Sequence, residues 1–68
     1  MNVWIVKEGT YYSDLTAVAS VHTTRAGAVA KCHRDGFRFD KEQGFFCNEG
    51  KHRYRHMWKE SVLVDKLV

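Results

Sequence analysis

The sequence predicts an α+β domain: a small antiparallel or mixed sheet with one main helix packed on one face. Three observations point there. A β-branched and aromatic run, Val3-Trp4-Ile5-Val6, opens the chain, an alternating run from Leu15 to His22 follows it, and between Thr23 and Gly36 the apolar spacing changes to a helical one.

The first run is apolar on both faces and is followed by Gly9, which suits a central strand covered on each side. In the second, Leu15, Ala17, Ala19 and Val21 point one way and Thr16, Ser20 and His22 the other, broken only by Val18. Lys7 to Asp14 joins the two as a hairpin loop, with Gly9 and Ser13-Asp14 as turn formers. Thr23 or Thr24 caps a helix with the inner stripe Ala26, Val29, Ala30 and His33, and Asp35-Gly36 ends it with a residue that accepts positive φ. Small residues on both partners, Ala17 and Ala19 against Ala26 and Ala30, are expected to let helix and sheet approach closely. Beyond Gly36, Phe37 and Phe39 alternate, Lys41 to Gly44 turns, Phe45-Phe46-Cys47 is short and apolar, and Asn48-Glu49-Gly50 turns again. Tyr54, His56 and Trp58 then alternate with Arg53, Arg55, Met57 and Lys59, and Ser61 to Val68 closes the chain. This reads as an extra hairpin followed by a last strand. A C-terminal helix over Tyr54, Trp58 and Val62 fits the same residues.

With 68 residues and no proline, repeat or linker, the chain has room for one domain, 1–68, and one core. A chain this short buries only about 60% of its unfolded surface, so stability is marginal and a disulfide, metal or partner subunit has to be considered. The longest apolar run at the start is Val3 to Val6, far below the roughly 20 residues of a membrane span, and the expected setting is a soluble cytoplasmic protein. There Cys32 and Cys47 are expected to stay as thiols, and a Cys32–Cys47 disulfide is the alternative if the protein is exported.

Cys32, Cys47, His52 and His56 are the residue types that zinc takes. The spacing does not fit a finger, because on a strand His52 and His56 lie roughly 13 Å apart and share a metal only if the segment is helical. A zinc-stabilised mini-domain is thus the third reading, and no cofactor is expected. No phosphate loop, paired carboxylates or hydrolase motif is present, and Cys32 beside His33 faces a different way on a helix, so an enzyme is not expected.

The net charge of +3 is local: Lys51, Arg53, Arg55 and Lys59 fall in one stretch without an acid, interleaved with His52, Tyr54, His56, Met57 and Trp58. Cations among aromatics suit a single-strand nucleic-acid platform. Alternation argues otherwise: Tyr54 and Trp58 enter the core, and Arg53, Arg55 and Lys59 form an exposed stripe that tolerates replacement by glutamate and meets phosphates or an acidic protein surface. Tyr11 and Tyr12 on the first loop are the residue type from which interfaces are built. The partner-binding candidates are therefore Arg53, Arg55, Lys59, Tyr11 and Tyr12. A protein partner is the first reading, a nucleic acid the alternative, and a homodimer through strand edges is open.

Val3-Trp4-Ile5-Val6, then Ala17-Val18-Ala19-Ser20-Val21, then Thr23-Thr24-Arg25-Ala26-Gly27-Ala28-Val29-Ala30 resembles small bacteriophage and bacterial proteins of a ββαβ kind. The resemblance covers the first half of the chain and Trp58 to Leu67, with Phe37 to His56 as an added hairpin. It implies a short, non-enzymatic accessory or inhibitor protein that docks on a larger host protein, and it carries over no functional residue.

Overall fold

A computed structural model describes residues 1–61. Its elements are β1 (Asn2–Thr10), β2 (Thr16–His22), α1 (Arg25–Arg34), β3 (Arg38–Asp40), β4 (Phe45–Asn48), a 3-10 turn (Glu49–Lys51) and β5 (Arg53–Ser61). The five strands form one sheet in the order β2-β1-β5-β4-β3, every neighbour antiparallel. The fold is α+β, and its sheet is larger than a ββαβ unit. The stretch around Arg55 is strand and not helix, and it is the middle of the sheet; Val62 and the rest of the expected closing strand lie outside the described residues.

Local chemistry sets the helix ends where the sequence puts them. Thr24 Oγ1 accepts from Gly27 N–H at 3.0 Å, satisfying one of the first-turn donors that no helical carbonyl reaches. At the other end Gly36 takes φ +88°, and Phe37 N–H reaches back to the Cys32 carbonyl at 2.9 Å. The stripe between these ends is rotated by one residue, about 100°, from the expected one. Ala28 and Cys32 are buried, while Ala26, Ala30 and His33 are exposed. The helix holds a single large apolar residue, Val29, so two alanine stripes were equally available, and the thiol of Cys32 serves as the small hydrophobe that decides between them.

Directly opposed residues in the antiparallel pairs share a face. Trp4, Val6 and Glu8 therefore lie with Lys59, Met57 and Arg55, and Phe46 of β4 joins them opposite Arg55. On this side Val6, Ala28, Cys32, Phe37 and Phe46 form the core cluster, with Trp4, Val29 and Met57 against it. Complete burial of Val6 contributes about 2 kcal/mol. The opposite face carries Val3, Ile5, Lys7 and Gly9 with Glu60, Trp58, His56 and Tyr54, and next to them Cys47.

β2 explains the interruption at Val18. Val6 pairs with Ser20 and Lys7 with Val18, so Ala19 is an extra residue, a bulge. Ser20 and His22 are half-buried on the core side, His22 Nε2 lying 2.8 Å from Ser20 Oγ, whereas Ala17, Ala19 and Val21 are exposed. The alanines expected between strand and helix are on the surface.

Candidate functional site

β5 presents two different sets of side chains. On the core side Arg55 is only 7% exposed, and its Cζ stands 4.2 Å from the centre of the Phe37 ring. Arg55 Nε donates to Glu8 Oε1 at 2.9 Å, and Arg53 Nη1 donates to the other oxygen of that carboxylate at 2.7 Å. Arg55 Nη1 lies 2.9 Å from Asp35 Oδ2 as an ion pair without hydrogen-bond alignment, and Lys31 Nζ reaches the same oxygen at 3.3 Å. Arg55 thus connects β5, β1 and the C-terminal end of α1. Burial opposes charge on Glu8, but hydrogen bonds from Arg53 and Arg55 outweigh it and hold the carboxyl below its ordinary 4.5. Beside Asp35 the Arg55 guanidinium, followed by the hydrogen bond from Lys31, outweighs desolvation and holds the carboxyl below 3.8. Arg55 itself is shifted upward, the two carboxylates overcoming desolvation.

This placement corrects the expected stripe. Arg55 is buried and paired, Arg53 is exposed but engaged by Glu8, and Lys59 is exposed on the core side opposite Trp4. Tyr54 and Trp58 do not enter the core cluster. They point to the other face, and β5 is not an edge.

That other face is aromatic. Phe45 packs on His56 with ring centres 4.8 Å apart and on Tyr54 at 5.4 Å, Tyr54 meets His56 at 5.4 Å, and Tyr11 joins at 5.6 Å from Tyr54. Trp58 and His56 are exposed, and Tyr54, Phe45 and Ile5 are half-buried. Gly9 is the backbone position that admits this arrangement: a Cβ there would lie 2.6 Å from both Tyr54 Cζ and Oη, so the ring rests on bare backbone. Tyr11 sits at the rim, where the Cys47 thiol beside its hydroxyl, with burial and the charges of Glu49 and Asp40, pushes it up to about 12. Tyr12 is more exposed and faces His52 at 5.2 Å.

The four candidate zinc ligands are not brought together. Cys32 belongs to the core cluster and Cys47 opposes Tyr54 on the other face; both are free thiols, and burial pushes Cys32 upward. Among the described residues no three His, Cys, Asp or Glu side chains converge on a metal position, and no helix is long and apolar enough to cross a membrane.

Sequence reasoning missed the Phe45–Tyr54–His56 cluster and the Glu8–Arg55–Asp35 network. The signal for the second was present: Glu8 follows Trp4 and Val6 at strand period, which puts an acid on a core-facing row where it needs a cation. Compared with known proteins, the chain matches no family model, no curated protein and no solved structure.

Proposed function

We propose that the chain is a non-enzymatic binding protein, with α1 packed on one face of the sheet, that docks on a larger protein through the opposite, aromatic face. The observation that carries this reading is the connected Tyr11, Tyr54, Phe45 and His56 rings, with Trp58 beyond them, on that face. Tyrosine and tryptophan supply large contact area at low entropic cost, and interface centres are poor in charge. Register assigns Lys7, Arg38, Asp40 and Glu60 to this side, two cations and two acids. A host protein as partner, in a phage setting, rests on the resemblance of the first half of the chain.

A single-strand nucleic-acid platform is the second reading, favoured by aromatics on the middle strands of a sheet. Charge ranks it lower: Arg53 and Arg55 are spent on Glu8 and Asp35, and the face keeps no excess of cations to follow a phosphate backbone.

Capture from host lysate by the immobilised chain tests the proposal. The wild type and Lys59→Glu, altered on the core side, should retain the same protein, and Trp58→Ala or Tyr11→Ala should lose it. Capture that survives both aromatic substitutions and fails with Lys59→Glu contradicts the assignment of the face. Tight binding of random-sequence single-stranded DNA, falling by about 0.7 log units per log unit of salt for each phosphate contacted, supports the second reading instead.

A further inference from the structure

We propose that the β2 edge pairs antiparallel, about a twofold axis, with the β2 edge of a second copy of this chain, Leu15 of each copy lying opposite Ala19 of the other. The two edges of the sheet differ in how they are protected. β3 is three residues long and carries Arg38 and Asp40, the short and charged form in which native sheets discourage pairing. β2 runs for seven residues, Thr16–His22, without an acid, a lysine, an arginine or a proline. Its outer row of backbone donors and acceptors faces no other strand among the described residues.

The edge is complementary to itself. Leu15, 80% exposed just before the first residue of β2, borders a depression of about 280 Å³ that is also lined by Gly9, Ala17 and Ala19, with the paired Glu8 and Arg53 at its border. With the axis at Ala17, residue 15 falls opposite residue 19, 16 opposite 18, and 17 opposite its own copy. The large Leu15 then meets the small Ala19 twice, and the small Ala17 lets the strands close at the centre. No charge meets a like charge, and because the twofold repeats the match of Leu15 with Ala19 on both sides of the axis, a second copy is the favoured occupant. The Ala19 bulge lies at the end of the paired stretch and not in its middle. Isologous pairing of this kind closes a dimer and leaves β3 as the outer edge on both sides.

A paired stretch of five residues is about 17 Å long and buries less than the roughly 1,200–2,000 Å² of a standard interface, so the dimer is weak and concentration-dependent. Sedimentation equilibrium of the full chain from about 5 to 500 µM reads this directly. The apparent mass of the wild type should rise from that of one chain toward that of two. Leu15→Ala should weaken association by about fivefold or more. Ala17→Lys, which puts two cations on the axis, should stay monomeric with an unchanged circular dichroism spectrum, and Trp58→Ala should associate like the wild type. A wild type that is monomeric throughout, an Ala17→Lys chain that dimerises normally, or loss of the dimer in Trp58→Ala each overturns the proposal. The last of these would put self-association on the aromatic face.

Discussion

Arg53, Arg55, Met57 and Lys59 alternate along β5 with Tyr54, His56 and Trp58, yet the row that holds the cations faces the core side and the aromatic row faces away from it. At Arg55 the usual assignment of cations to the surface is reversed on the middle strand. Arg55 is buried because its guanidinium has three partners, Glu8, Asp35 and the Phe37 ring, whereas the rings opposite are only as buried as they make one another. Polarity alone does not decide which row of a strand turns inward. The availability of partners decides it.

The largest effect expected from this inversion is on the variant in which Arg53, Arg55 and Lys59 are all replaced by glutamate. An exposed stripe would tolerate it. Here it places new carboxylates against Glu8 and Asp35 in a nearly closed site, and the variant should lack a cooperative melting transition in circular dichroism. A native-like melt would return the stripe to the surface.

On the other face the sharpest single substitution is Gly9→Ala. The added methyl meets the Tyr54 ring, and the loss should be about 1–3 kcal/mol by urea unfolding. A neutral result would mean that Tyr54 moves off β1 freely and that the aromatic cluster is not held in place.

Acid should weaken the fold through its paired carboxylates. Glu8 and Asp35 have folded pKa values below their ordinary 4.5 and 3.8, so the stability they supply is fully present above those values and is lost as pH falls below them through the depressed folded ones. Asp40, the last residue of β3 and on the aromatic face, is held low by hydrogen bonds from Gln43 and adds in the same direction. Urea midpoints should therefore fall between about pH 5 and pH 2, and Glu8→Gln should make that fall shallower. An equal pH dependence in Glu8→Gln would remove Glu8 from the account.

The smallest effect lies outside the comparison and calibrates it. Thr24→Ala removes the cap on Gly27 N–H and should cost about 1 kcal/mol without altering either face of β5.

The parts of the fold that were legible are those governed by neighbours in sequence. Thr24 and Gly36 bound the helix as read, Val3 to Val6 lies within a strand, and Asp40 closes the 41–44 turn by accepting from Glu42 and Gln43 N–H. What was not legible depends on residues far apart. Arg55 meets Glu8 across 47 positions, and nothing local to either announces the other. The phase of the helix was undetermined because alanines occupy both candidate stripes, and the direction of β2 was misread because one extra residue at Ala19 reverses every side chain beyond it. At the candidate site the sequence reads as a strand with a helix left open; Arg53 and Lys59 are exposed as expected, but Arg55 is buried and Tyr54 and Trp58 lie on the face away from the core cluster.

The two rows of β5 differ in role: Arg53 and Arg55 are tied into the fold through Glu8 and Asp35, whereas Trp58 lies exposed on the opposite face. Equilibrium urea unfolding of Arg55→Ala beside Trp58→Thr tests this difference most directly. Removing Arg55 leaves Glu8 and Asp35 without their shared cation, and because both keep some contact with water the expected loss is about 2–3 kcal/mol, below the roughly 3–5 of a fully buried pair. Replacing the exposed Trp58 with a strand-forming residue should cost under about 1 kcal/mol. Equal losses, or a larger one for Trp58→Thr, would contradict the account.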